Sequence, residues 1–363
     1  MWLHRLHADK VRNLKGMALD LPPGVTLVTG RNGQGKTSVL EAAYLAATGR
    51  SFRTTRTEEV VDRGGGPLKV SAEVRGLVGA STIGVVIAEG QRRLLVDGIE
   101  RPIGAFLGRL DVVALATDAS RMLRDGPEGR RRFLDSGIVG LRPGYLSDLG
   151  EYRRVLAERN ALLRRARAGR ELDAWDDRLA ATGSRIQAQR RAYVLELACR
   201  LGAAERALLA DGEEIRIRYR PSPEPSIADA PLDDTIREAL KRGRSRDLTL
   251  GFTAEGPHRD DVATTFSGAD IRVFGSAGQL RSTMIALCAG KLGLLRERHQ
   301  ESPLFLMDDF DSDLDESKVR ALVDFLREGA FQALLATAKD GYLDRLGFSF
   351  PAFRMEGGLA RAA

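Results

Sequence analysis

Residues 30–37, Gly30-Arg31-Asn32-Gly33-Gln34-Gly35-Lys36-Thr37, fit the pattern G-x-x-x-x-G-K-[ST] and constrain this chain more than any other segment. Ahead of them the β-branched run Val25-Thr26-Leu27-Val28-Thr29 reads as a short buried strand that stops in a tight turn at Gly30. Behind them, Lys36 to about Thr48 reads as a helix with Val39, Leu40, Ala43, Tyr44 and Ala47 on one face. Strand, glycine-rich turn and helix N-terminus in that order build a phosphate cradle. The glycines let backbone N–H groups converge on a β-phosphate, the helix end adds about half a positive charge, and Lys36 reaches the β and γ oxygens. The expected nucleotide-binding segment is Gly30, Arg31, Asn32, Gly33, Gln34, Gly35, Lys36, Thr37 and Ser38, with the Thr37 hydroxyl holding Mg²⁺.

A second segment supplies the partner chemistry. Pro303-Leu304-Phe305-Leu306-Met307 is wholly apolar and ends in Asp308-Asp309, so a buried parallel strand would deliver two carboxylates to its C-terminal edge. Asp308 suits Mg²⁺ beside Thr37. Asp309 suits the base that orients and deprotonates an attacking water. Asp309, Asp311 and Asp313 also suggest a calcium loop, but Leu314 stands where that loop needs Gly and Arg320 where it needs Glu, so calcium is rejected.

The 363 residues allow two or three domains, and 56 Lys and Arg against 50 Asp and Glu leave a net charge of +6, a weak pointer to an anionic partner. No apolar run approaches the roughly 20 residues of a spanning helix, and Met1 to Asp20 lacks the continuous hydrophobic stretch of a signal peptide, so no membrane association and a cytoplasmic site are expected. Cys199 and Cys288 fall in apolar helical patterns as buried small residues, and the four histidines share no ligand spacing with them, so neither a structural zinc nor a disulfide framework is expected. From about 120 to 208 the pattern is helical. Tyr152, Val155, Leu156 and Leu163, then Trp175, Leu179, Thr182, Ile186, Gln189, Tyr193 and Leu197, predict an antiparallel hairpin turning at Ala168-Gly169-Arg170, with arms of about 20 to 25 residues, roughly 30 to 40 Å. A strand follows over Ile215 to Tyr219, a proline-rich loop over residues 221–225, and a last short strand around Phe348 to Met355.

Phe274-Gly275-Ser276-Ala277-Gly278-Gln279 precedes another apolar helix. Ser276 and Gln279 form S-x-x-Q, a helix-capping box, which by itself accounts for both residues. Their place in the order says more: phosphate cradle, helical insertion, Ser-x-Gly-Gln helix start, acidic strand, then Ser312-Asp313-Leu314-Asp315. In that order the chain resembles the ABC-type ATPases of chromosome maintenance and recombination. The resemblance implies an α/β fold, an ABC-type P-loop head with a mixed β-sheet around the P-loop helix, a helical second lobe and a short helical-hairpin arm. It divides the chain into lobe I (residues 1–118), lobe II (119–247) and a C-terminal part completing the head (248–363). It also implies an ATP-dependent homodimer in which Ser276, Gly278, Gln279 and Asp313 act on the partner's ATP, and Thr337 as the γ-phosphate sensor.

Three further segments, Gly49-Arg50-Ser51-Phe52-Arg53, residues 126–135 and Gly256-Pro257-His258-Arg259-Asp260-Asp261, are similar to the RecF family of recombination mediators. That family implies a weak, DNA-stimulated ATPase binding single-strand gaps, duplex and junctions, working with RecO and RecR to help load RecA in repair, damage response and replication, at the nucleoid. Three departures stand out. Thr117-Asp118-Ala119-Ser120 keeps only part of an acidic Pro-containing element, and no Gln follows the strand before it, where transporter-type relatives carry one. Ala277 and Leu280 also replace usual polar residues.

Arginines crowd the first arm at 153, 154, 159, 164, 165, 167 and 170, preceded by Arg130, Arg131 and Arg132, and a second cluster holds Lys241, Arg242, Arg244 and Arg246. Arg130, Arg131, Arg153, Arg154, Arg164 and Arg165 are the expected DNA contacts, to phosphates rather than bases, since few aromatics interleave them. Two other classes compete: a nucleotide-gated tether with little turnover, and a P-loop kinase or GTPase, the latter disfavoured by the lack of an N-K-x-D guanine motif.

Overall fold

The computed structural model describes residues 1–62, 64–77, 79–165, 170–210, 212–225 and 231–363, with Arg170 described through its backbone alone. In chain order the elements begin with β1 (Trp2–Asp9), β2 (Met17–Asp20), β3 (Val25–Thr29), α1 (Lys36–Thr48), β4 (Leu68–Gly76), β5 (Gly79–Ala88), β6 (Gln91–Val96), β7 (Ile99–Glu100), α2 (Ile103–Phe106) and β8 (Val112–Leu115). There follow α3 (Arg121–Arg124), α4 (Pro127–Leu141), α5 (Tyr145–Arg164), α6 (Arg170–Leu208), β9 (Ile215–Arg220), α7 (Leu232–Leu250), β10 (Asp261–Phe266), β11 (Ala269–Asp270) and α8 (Ile271–Phe274). The chain ends with α9 (Ala277–His299), β12 (Leu304–Met307), α10 (Glu316–Glu328), β13 (Gln332–Thr337), α11 (Tyr342–Arg345), β14 (Ala352–Glu356) and β15 (Leu359–Ala362).

Two compact units result: residues 1–120, 200–214 and 276–363 form the first, and 121–199 with 215–275 the second. Residues 248–275 stay with the second unit, where β10 pairs with both β9 and β11 in one antiparallel sheet.

The first unit holds two six-stranded sheets, ordered β2-β1-β4-β5-β6-β7 and β15-β14-β3-β13-β12-β8. In the second sheet β14, β3, β13, β12 and β8 run parallel. β3, β12 and β13 are buried at every residue, which is why their sequences are continuous apolar runs rather than alternating ones. α1 is buried on most of its surface, and Val39, Leu40, Ala43 and Ala46 join Leu6, Val70, Val85, Leu306 and Leu334 in one core. The final hairpin β14–β15 was not expected beyond its first strand; Gly357-Gly358 makes its turn.

In the second unit the segments 126–135 and 256–261 meet. Asp260 is fully buried and accepts from Arg190 Nη1 at 2.8 Å, Gln187 Nε2 at 3.0 Å, the Ser222 N–H at 2.8 Å and the Tyr219 hydroxyl. Asp261 takes a two-point ion pair from Arg130 at 2.6 and 3.0 Å, while Arg190 also bridges to Asp135. Tyr152 OH lies 2.6 Å from His258 Nδ1, and His258 Nε2 is 3.0 Å from the Thr253 carbonyl. Burial pushes this imidazole down to about 4, so it stays neutral, donating from Nε2 and accepting from Tyr152. His258 and Asp260 are thus framework.

The hairpin forms with unequal arms. α5 has 20 residues, as expected, but α6 has 39, about 58 Å at 1.5 Å per residue. Leu201, Ala204 and Leu208 carry the buried stripe on past Leu197. The expected turn at Ala168-Gly169 lies outside the described residues, as does Arg167. Cys288 is buried but Cys199 is exposed, midway between Leu197 and Leu201 in sequence and so about 200° around the helix from that stripe.

Arg159 corrects the charge count. It falls in the α5 stripe of Tyr152, Val155 and Leu163, is fully buried, and pairs with Asp176 at 2.6 Å and Asp247 at 2.8 Å. Removing it leaves buried Asp247 with no described ion pair and buried Asp176 with Arg244 alone. Arg159→Ala should therefore cost about 3–5 kcal/mol in urea unfolding, against under about 0.5 for exposed Arg153→Ala. Equal losses would mean that the buried pairs carry no special weight.

Candidate functional site

Parallel strands deliver their C-terminal ends to one edge of the sheet, and there the sequence places its reactive residues. β3 runs into Gly30, β13 ends at Thr337 opposite Thr29, β12 runs into Asp308 and β8 into Thr117. The turn after β3 exists only because of its glycines. Gly30 has φ +136°, and a Cβ there would stand 2.6 Å from the Met355 carbonyl oxygen; Gly35, at φ +111°, caps α1. The cradle faces a cavity of about 820 Å³, lined by Arg12, Asn13, Lys36, Thr37, Arg53 and Asp309 among others, a volume suited to a nucleotide.

Lys36 is buried, its ammonium donating to the Gly30 carbonyl at 2.8 Å and the Arg31 carbonyl at 3.3 Å. Thr37 Oγ1 donates to Asp308 Oδ2 at 2.8 Å across 271 residues of sequence. Burial pushes the Asp308 carboxyl above its ordinary range, the Thr37 hydrogen bond works against this, and neighbouring Asp309 adds to it. Asp308 Oδ1 is buried with no hydrogen-bond partner. A hard cation fits here: an orphaned carboxylate oxygen beside a hydroxyl is the donor set Mg²⁺ takes when phosphates and water supply its remaining ligands. Among the described residues no group of three or more His, Cys, Asp or Glu is placed to hold a metal unaided.

Three side chains around the cradle, Arg12, Asn13 and Glu41, were not foreseen. Asn13 accepts from Ser38 Oγ at 2.8 Å and donates to the Gly33 carbonyl at 3.2 Å. Glu41, fully buried, holds Arg12 at 2.9 and 3.0 Å, lies 3.7 Å from Arg53 and accepts from the Ser51 hydroxyl. Gln34 accepts from the Gly357 N–H at 2.6 Å, so the last hairpin braces the loop.

Ser276 and Gln279 make the complete capping box at the start of α9. Ser276 is exposed, and its hydroxyl accepts from the Gln279 N–H, leaving its own proton for another acceptor. Gly278 lies beside Asp313, a Cβ there standing 3.5 Å from the Asp313 carbonyl oxygen. Among the described residues lining the cavity are none of Ser276, Gly278, Gln279 or Asp313. Thr337 is buried and accepts from the Lys339 N–H at 3.0 Å. Asp315 caps α10.

The arginines divide. Arg153, Arg154, Arg164 and Arg165 are exposed and pair with no described carboxylate. Arg130, 4% exposed and saturated by Asp261 and three carbonyls, is withdrawn from the DNA contacts. Arg131 spends one donor on the Asp260 carbonyl at 2.8 Å, and burial lowers its pKa.

An AAA-domain family model matches residues 5–81. The DNA replication and repair protein RecF of Moorella thermoacetica is 36% identical over 94% of this chain and 91% of its own length, and that of Anaeromyxobacter sp. (strain Fw109-5) 35% over 99% and 98%. The chain belongs to the RecF family. The structure of the recombination mediator RecF with ATP in the RecFOR pathway superposes with a TM-score of 0.91 at 27% identity, covering 100% of this chain and 97% of that one. An Smc head bound to the C-winged helix domain of ScpA shares the fold, with a TM-score of 0.59 at 12% identity over 100% and 97% of the two chains. The RecF chain thus has the fold of the ABC-type ATPase head. Among the described residues no helix is long and apolar enough to cross a membrane.

Proposed function

We propose that this RecF chain is an ATP-dependent DNA-binding protein of recombinational repair, in which ATP joins two copies head to head on DNA and hydrolysis releases them. The observation that carries the reading is the Thr37–Asp308 contact, which brings the phosphate cradle and the acidic strand together at one sheet edge. Gly30 to Ser38 hold the triphosphate of ATP. Thr37 and Asp308 hold Mg²⁺, which when bound neutralises charge on the β and γ phosphates. Asp309 takes a proton from water as its oxygen bonds to the γ-phosphorus; the bond from that phosphorus to the bridging oxygen breaks, and its electron pair leaves with ADP.

Exposed Ser276, with Gly278, Gln279 and Asp313 beside it, meets the γ-phosphate held by the other copy, while Thr337 senses that phosphate from within the chain. The capping box fixes Ser276 and leaves its proton available, so capping and recognition coexist. Shifting a monomer–dimer balance from 1:99 to 99:1 takes about 5.5 kcal/mol, within reach of charge-assisted hydrogen bonds at two composite sites. These bonds need the γ-phosphate. Turnover is slow and stimulated by DNA, RecA is served indirectly, the setting is the nucleoid in the cytoplasm, and RecR and RecO are the protein partners, the last supported by the RecFOR pathway named for the relative.

Exposed Arg153, Arg154, Arg164 and Arg165 carry phosphate contacts to gapped, duplex or junction DNA. Replacing all four with Ala should reduce the slope of log affinity against log salt by about 3 to 4 while ATP affinity holds; an unchanged slope moves the DNA site elsewhere. Asp309→Asn should keep ATP binding, lower phosphate release at least about 100-fold and leave the protein retained on DNA. Normal hydrolysis by that variant would remove Asp309 from the base role.

A further inference from the structure

No Gln follows β8, yet the position is not chemically empty. Thr117, two residues beyond the strand, directs its hydroxyl at both acidic residues, with Oγ1 3.0 Å from Asp308 Oδ2 and 3.1 Å from Asp309 Oδ2. A hydroxyl carries one proton, so it donates to one carboxylate at a time. Asp308 Oδ2 already accepts from Thr37. Among the described residues no side chain other than Thr117 hydrogen-bonds the Asp309 carboxylate. Asp309 itself sits at φ +44°, a left-handed conformation that a non-glycine residue keeps only when its surroundings impose it.

What imposes it is Arg281, five residues into α9 and 1% exposed. Its Nη2 donates to the Asp308 carbonyl at 2.8 Å and the Asp309 carbonyl at 2.9 Å, and its Nη1 to the Ala116 and Thr117 carbonyls at 3.3 and 3.4 Å. One planar, five-donor fork thus ties the loop after β12 to the loop after β8. Asp308 N–H to the Leu115 carbonyl, at 3.0 Å, closes the same junction from the backbone. With both main chains pinned, the Thr117 hydroxyl stands at a set distance from a carboxylate that no other described side chain hydrogen-bonds.

We infer that Thr117 is a positioning residue for hydrolysis, its hydroxyl orienting the Asp309 carboxylate toward the water while Arg281 holds the two loops in register. This rests on the hydrolytic reading of Asp309 given above. Once Asp308 is engaged with the cation held beside Thr37, Thr117 has its proton for Asp309. A single proton donated to Oδ2 leaves Oδ1 of Asp309 as the acceptor for the proton of water, so the hydroxyl selects which oxygen serves as base. Thr117 touches neither nucleotide nor water in this account; it acts through Asp309.

Because Thr117 is exposed, its substitution spares the fold. Thr117→Val keeps the shape and removes the hydroxyl, whereas Thr117→Ser keeps the hydroxyl. Steady-state hydrolysis, the Kd of a fluorescent non-hydrolysable ATP analogue with Mg²⁺, and the thermal midpoint would be measured for each. Expected are a kcat lowered at least about tenfold in Thr117→Val, with analogue Kd and midpoint near wild type, and a kcat within about twofold of wild type in Thr117→Ser. Wild-type turnover with an undiminished kcat in Thr117→Val overturns the inference alone, as does a matching loss of kcat in Thr117→Ser. A weakened analogue Kd at unchanged kcat also overturns it, because the hydroxyl would then serve binding. A wild-type protein with no ATP turnover in the presence of DNA overturns the hydrolytic reading on which the inference stands.

Discussion

One hydrogen bond organises this chain: the Thr37 hydroxyl to the Asp308 carboxylate, joining residues 271 positions apart. It forms because β3, β13, β12 and β8 are parallel neighbours, so each hands its next residue to the same sheet edge. Burial of those strands keeps water from the carboxylate and raises its proton affinity. The surrounding devices serve the edge. Glycines clear space for the loop, Gln34 receives the terminal hairpin, and Arg281 fixes the two loops beyond.

Much of this was legible in the residues themselves. The strand-turn-helix over Val25 to Thr48 and the apolar strand before Asp308 show in local pattern because complete burial imposes continuous apolar runs. What escaped was set by distance along the chain. Asn13, Glu41 and Thr117 reach the site through partners tens to hundreds of residues away, and nothing in their own neighbourhoods announces it. The last hairpin did leave a signal, Gly357-Gly358 between two short runs, of the kind that marks a turn between strands.

Charge misled where composition was read without helix geometry. Arg130, Arg131 and Arg132 are about 100° apart around α4, so one is buried, one half-buried and one exposed. Arg159 shares the stripe of Tyr152, Val155 and Leu163, and that spacing alone placed it inside. The buried arginines Arg130 and Arg190 tie the family-like segments of the second unit together through Asp261, Asp135 and Asp260, and Arg159 ties α5 to α6 and α7 through Asp176 and Asp247. The second unit therefore uses its basic residues in two ways, some as internal ties and some as an exposed cationic face.

The proposed head-to-head dimer rests on a Ser-x-Gly-Gln helix start that is exposed and absent from the described lining of the cavity beside the phosphate cradle. Sedimentation velocity across a concentration series, with a non-hydrolysable ATP analogue and Mg²⁺ set against ADP, tests that dimer most directly. The account predicts a species of twice the protomer mass with the analogue and the protomer alone with ADP. A protomer that stays single with the analogue at the highest concentration, or a dimer indifferent to the γ-phosphate, would contradict it.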